Sequence, residues 1–114
     1  MAIVYMTKVN VPQGEDFESA WEYETAAVAT AGNGDSVMCP DGVAGISATL
    51  EVTAGTGSIE TTTSSYADVI AGTAVWVAWA AGTIAATAQN WVRPVTAFRM
   101  VNATGTTKMT ARAQ

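Results

Sequence analysis

The side chains that could do chemistry in this chain are few, and they are badly matched to one another. Histidine is absent, which removes the commonest general base and metal ligand. Cys39 is the only cysteine, so no internal disulfide can form. Without a histidine it has no partner for a thiolate nucleophile, and a small buried hydrophobe is its expected role. Serines and threonines are plentiful, yet none sits in a G-x-S-x-G elbow. Gly55-Thr56-Gly57 lacks the further glycine and the lysine of a phosphate loop. Glu51 and Glu60 fall on segments expected to be neighbouring strands. A carboxylate pair of that kind could cleave a glycosidic bond, but with ten acids in the chain chance placement explains it more simply. Glu15, Asp16, Glu18, Glu22 and Glu24 could offer oxygen ligands, but the alternating spacing and central glycine of a calcium loop are missing, so a solvated acidic face is expected. The sequence therefore implies no catalytic residues, no cofactor and no tight divalent-metal site.

The bulk composition points toward binding or assembly. Hydrophobic residues make up 49% of the 114 residues, an ordinary share, while charged residues make up only 13%. Soluble domains usually carry roughly 25% charge. Ala, Thr, Gly and Ser fill the gap, and a surface of that kind loses water cheaply when another protein lies on it. The net charge of −5 and five scattered basic residues give no phosphate-binding face, so no nucleic-acid partner is expected. The opening MAIVYMTKVNVP has no basic stretch before an apolar one, so no signal peptide is expected. The uncharged run from Val69 to Ala88 has the length of a membrane helix. Its Ala, Gly and Thr content, its central Trp76 and Trp79 and the bracketing Gly72 and Gly82 favour buried strands, and no membrane partner is expected.

The elements that must position these residues repeat with period two. Ala44, Ile46, Ala48, Leu50 and Val52 share one face of a segment whose other face is Ser47, Thr49, Glu51 and Thr53, the pattern of a half-buried antiparallel strand. Residues 106–112 repeat it, and Val95 to Val101 reads as another strand. Further strands are expected over Ile3–Val9, Thr25–Thr30, Ser36–Cys39, Ser58–Thr63, Val75–Ala80 and Thr83–Ala88. Turns are expected at Gly32-Asn33-Gly34, Pro40-Asp41-Gly42, Ala54–Gly57, Ala81-Gly82 and Asn102–Gly105. Gly14 to Glu24 reads either as a short helix, with Phe17 and Trp21 four apart, or as an acidic loop or edge strand. The expected fold is all-β: a small antiparallel β-sandwich, or a partly closed barrel, with at most one short helix. One domain spans 1–114, with an N-terminal arm over 1–12 as an option.

Trp76 and Trp79 differ by three and point to opposite faces of any strand they share. Val75, Val77 and Trp79 form the expected core face. Trp76 then either meets a neighbouring subunit or packs beneath a loop of its own chain. Trp21 and Trp91 lie near element ends, where they could seal the sandwich. Ile3, Val4, Tyr5 and Met6 are apolar at both parities, so that segment is either central or covered by a neighbour. These four residues and Trp76 are the candidate interface set. Ile46, Leu50, Val52, Trp79 and Phe98 are the candidate core.

The closing stretch WVRPVTAFRMVNATGTTKMTARAQ, preceded by SATLEV, GSIET and AVWVAW, resembles the C-terminal part of small virion proteins of tailed bacteriophages. The resemblance covers roughly residues 43 to 114. Within that group the size and low charge look most like a capsid decoration, or cement, protein. The resemblance implies attachment to the major capsid protein of an assembled head, with neighbouring copies on the capsid lattice or a homo-oligomer as further partners. It also implies synthesis in a bacterial host cytoplasm and residence on the virion surface. It carries over no individual functional residues. Two other readings stand beside it. One is a head-fibre, tail or connector component of the virion; the other is a carbohydrate-binding β-sandwich that stacks sugars on exposed tryptophans.

Overall fold

The computed structural model describes residues 2–13, 16–40, 43, 45–92 and 95–113. The fold is all-β, with one short helix and a mixed sheet nearly closed into a barrel. In chain order the elements are β1 (Ile3–Tyr5), β2 (Thr7–Gln13), β3 (Asp16–Glu24), β4 (Gly32–Asn33), β5 (Ser36–Met38), β6 (Ile46–Thr62), α1 (Tyr66–Ala71), β7 (Val77–Ala78), β8 (Ala88–Val92) and β9 (Ala97–Ala113).

Two strands dominate. β6 and β9 are each 17 residues long and pair antiparallel from Ile46↔Ala113 to Thr62↔Ala97. The turns expected at Ala54–Gly57 and Asn102–Gly105 are instead a bend in this continuous ribbon. Gly55 and Gly105 sit directly opposite each other there, at φ of 76° and 75°. A Cβ on Gly55 would lie 2.1 Å from the Thr104 carbonyl oxygen, and one on Gly105 would lie 2.1 Å from the Ala54 carbonyl oxygen. Only glycine lets the two backbones meet in this conformation.

The bend also solves a register problem. Val52 pairs Thr107 and Ala54 pairs Thr106, so Thr53 is an extra residue in β6. Thr56 pairs Thr104 and Gly57 pairs Asn102, so Ala103 is an extra residue in β9. Each bulge shifts its strand by one and exchanges its faces. Inward residues are accordingly Ile46, Ala48 and Leu50 before the bend of β6 and Ile59 after it. In β9 they are Phe98, Met100 and Asn102, then Thr107, Met109 and Ala111. Both halves of the ribbon thus turn apolar sides to one interior.

That interior contains Ile46, Leu50, Ile59, Phe98, Met100 and Met109, all essentially fully buried, with Val37, Trp79 and Val92 around them. Val52 is only half-buried at its margin; the other four expected core residues, Ile46, Leu50, Trp79 and Phe98, are inside. The half of the ribbon ending at Ile46 and Ala113 is flanked by β3 and then β2 on one side and by β8 on the other. The half ending at Thr62 and Ala97 is flanked by β5 and β4, with β1 parallel beyond β5, and by β7.

Two segments expected as full strands contribute single bridges beside the bend, with Ala88 at the end of the second opening β8. From Thr25–Thr30, Val28 bridges Thr107; from Thr83–Ala88, Ile84 bridges Gly57. Asn102 ties the arrangement together, its Nδ2 donating to the carbonyls of Val28, Thr30 and Gly105 at 2.9–3.1 Å. The segment Val75–Ala80 is strand only at Val77–Ala78. It ends in a turn where the Trp79 indole Nε1 donates to the Gly82 carbonyl at 2.7 Å.

The stretch 16–24 is a strand, not a helix. Trp21 and Tyr23 pack against the core, while Glu22 and Glu24 meet Arg112 and Lys108 on β9. Cross-strand pairing overrides the four-residue aromatic spacing. The helix lies at Tyr66–Ala71. The Ser65 hydroxyl caps it by accepting from the Asp68 N–H at 3.1 Å, and Gly72 ends it at φ 79°. Among the described residues no helix is long and apolar enough to cross a membrane.

Candidate interaction surface

A second, smaller cluster forms where β1, α1 and the segment after α1 meet the end of the ribbon. Met38, Val69 and Ala97 are buried there, with Ile3, Ala74 and Trp76 packed against them. The same elements expose Tyr5 (68%), Ile70 (64%), Val75 (71%) and Val77 (62%), with Tyr66 partly exposed as well. Among the large hydrophobics left exposed, these come from β1 and from the stretch 66–77, while Trp91 lies on β8. Single exposed apolar residues are ordinary; several on elements sharing one cluster make a patch.

Part of this patch borders a groove of about 570 Å³ lined by Tyr5, Met6, Trp21, Cys39, Tyr66 and Ile70. The Tyr66 hydroxyl donates to the Cys39 carbonyl at 3.1 Å, fixing α1 over the end of β5. Burial pushes the Cys39 thiol up to about 12, against a smaller lowering from a backbone hydrogen bond at Val95. At neutral pH the thiol stays protonated, which makes it a packing group and not a nucleophile.

Trp76 is held from its outer side. The Arg99 guanidinium lies 4.2 Å from its ring centroid, and Arg99 Nε and Nη2 both donate to Glu60 Oε1, at 2.9 and 2.7 Å. This half-buried stack clamps the segment after α1 onto the ribbon. It also accounts for Glu60: Glu51 and Glu60 lie on one strand, β6, and not on neighbours. Glu60 is engaged by Arg99, and Glu51 faces Lys108 in register. They do not converge as an acid–base pair.

The five candidate interface residues are distributed as follows. Ile3 and Trp76 share the small cluster, so the structure brings the N-terminal segment and this tryptophan together. Val4 packs against the main core, and Met6 is buried within it. Tyr5 is left on the surface beside the groove. Residues 3–13 are built into the sheet as β1 and β2. Val75 and Val77, expected on a core face with Trp79, are exposed, because the chain after α1 is irregular and only Val77–Ala78 holds strand geometry. Tyr66 and Ile70 had a legible signal, Ser65-x-x-Asp68 followed by Gly72, the start and stop of a short helix. Trp91, expected to seal an end of the fold, is exposed on β8.

Comparison with protein-family models, with curated proteins and with solved structures finds no match to this chain.

Proposed function

We propose that this chain is a structural virion protein, a decoration or cement protein that binds the outside of an assembled phage head and braces neighbouring major capsid subunits. The observation that carries this reading is the apolar patch of Tyr5, Tyr66, Ile70, Val75 and Val77, on a chain with only 13% charged residues. A surface so poor in charge gives up little solvation on docking, and the patch supplies apolar area for the contact. Stable contacts bury about 1,600 Å² in total, and many copies on one shell resist rupture together. The resemblance of residues 43 to 114 to small virion proteins of tailed phages supports the same reading.

The test is co-sedimentation of the purified chain with shells assembled from the major capsid protein of the same phage. The chain is expected to pellet with complete shells and to raise their rupture temperature. The double variant Tyr5→Asp/Ile70→Asp is expected to stay in the supernatant with its own melting midpoint unchanged, because both side chains point to solvent. Shells that neither bind the chain nor gain heat resistance from it would overturn the proposal.

A further inference from the structure

The half of the sheet that carries β8 presents a different outer face. Trp91 on β8 is 65% exposed although it lies within a paired strand. Its ring is not loose: it lies diagonally across the β6–β8 pair over Gly45. A Cβ at Gly45 would meet Trp91 Cζ3 at 2.7 Å and Cε3 at 3.2 Å. The six-membered ring of the indole therefore abuts the bare backbone at Gly45, while most of the residue stays open to solvent. The Trp91 backbone is fixed as well, its N–H donating to Asn90 Oδ1 at 2.8 Å.

From this platform a polar row crosses the sheet in register. Trp91 pairs Ser47, Ser47 pairs Arg112, and Arg112 pairs Glu22. At ~4.8 Å between strands, the row runs roughly 14 Å. A parallel row lies one pleat further on, from Gln89 through Thr49 and Thr110 to Glu24. Ser47, Thr49, Gln89, Thr110, Arg112 and Glu22 line an open groove of about 750 Å³; Trp91 is outside that lining and adjoins it through its register partner Ser47. Gln89 Nε2 donates to the Ser47 hydroxyl at 2.9 Å, and Arg112 Nη1 donates to Glu22 Oε1 at 2.7 Å with both side chains about half exposed.

We infer that this face is a binding site for a neutral polysaccharide chain, with Trp91 as its stacking platform. The C–H side of a pyranose ring carries slight positive charge and packs on the electron-rich face of an indole. Beyond the platform, sugar hydroxyls both donate and accept. The groove answers with hydroxyls that do both, an amide, a guanidinium and carboxylates. Arg112 already faces Glu22, so the site has no uncompensated cation to favour a phosphate or a sulfated chain. The groove is long and open, which suits an internal stretch of polymer more than a single terminal sugar. Its length matches a di- to trisaccharide. Tyr5 of the apolar patch also borders this groove, so the two surfaces adjoin there, while Trp91, Thr49 and Gln89 lie outside the patch.

The test begins with the intact chain on a printed array of neutral glycans, followed by calorimetry with the best trisaccharide and its monosaccharide. The trisaccharide is expected to bind in the micromolar to millimolar range, more tightly than the monosaccharide, with a change in tryptophan emission. Trp91→Ala is expected to weaken it at least about ten-fold at an unchanged melting midpoint. A Thr49→Ala/Gln89→Ala variant, altered only at surface positions, is expected to weaken it too and keeps the test valid if Trp91→Ala does not fold. If Trp91 serves only to cover Gly45, Trp91→Ala lowers the melting midpoint and the array stays blank; that result overturns the inference. Binding untouched by both variants overturns it as well.

Discussion

Replacing Gly105 by alanine tests the bent ribbon most directly. The new Cβ would lie 2.1 Å from the Ala54 carbonyl oxygen, where ordinary contact begins at 3.4 Å, so the two strands must separate by more than 1 Å. The obstructing atoms are backbone and cannot rotate away. Placing an L-residue at φ 75° costs about 1–2 kcal/mol, and parting the ladder at the bend sacrifices about two hydrogen bonds at ~1 kcal/mol each. The expected loss is about 3–4 kcal/mol, against about 1–2 kcal/mol for Gly82→Ala. Gly82 has a similar φ of 66°, but nothing lies within 4 Å of its added Cβ. Comparing the two variants separates close approach from backbone conformation. The assay is urea unfolding followed by tryptophan fluorescence, with the slope checked for constancy so that midpoints report stability. Equal losses for Gly105→Ala and Gly82→Ala would refute the reasoning that the strands meet closely at this pair.

Two further outcomes are expected. Leu50→Ala removes a fully buried side chain from the main core and should cost about 2–5 kcal/mol, while Val52→Ala, at a half-buried site, should cost less; equal costs in the same unfolding assay would contradict the burial order. Cys39 stays protonated in the fold to about pH 12 but ionises near its ordinary 9.0 once released, so the unfolded chain binds fewer protons in that window and stability should fall as pH rises through it. The Tyr23 phenol, raised first by burial and then by Asp35, acts in the same direction. Unfolding midpoints across that range should slope downward for the native chain and less steeply for Cys39→Ala; identical slopes would count against the burial argument.

The strand content was legible because alternation survives in the sequence wherever a face is buried. Ile46, Ala48 and Leu50 against Ser47, Thr49 and Glu51 could hardly form anything else, and four of the five candidate core residues are inside. What misled was glycine. Gly55 and Gly105 carry the local signature of turns, and nothing within either segment reveals that the other stands opposite. A turn and a glycine-paired bend differ only in their partner, which is a tertiary fact. The spacing of Phe17 and Trp21 left helix and strand both open over this stretch for the same reason: the strand is decided by pairing with β2 and with β9, some ninety residues on. Of the candidate interface set, Ile3 and Trp76 do meet on one cluster, but the sequence could not show that Met6 is buried while Tyr5 faces water. Since Met6 is core and β2 covers β3, removing residues 2–9 would damage the fold itself, and point changes at Tyr5 and Ile70 are the cleaner probe.

The arrangement of long and short strands sets how much sheet edge a chain with so few charges offers to another copy of itself. Unpaired edges template aggregation, and the hazard grows with the length of the exposed strand. Here the two 17-residue strands are both interior: β9 lies between β6 and the series β3, β4 and β5, and β6 has β7 and β8 on its other side. The outer positions fall to β1, β2, β4, β7 and β8, which are 3, 7, 2, 2 and 5 residues long. Among the described residues, a second molecule seeking to extend the sheet finds strands of at most seven residues to pair with. Topology thereby supplies part of the protection that most domains draw from surface charge, and leaves the apolar and tryptophan-bearing faces open to other partners.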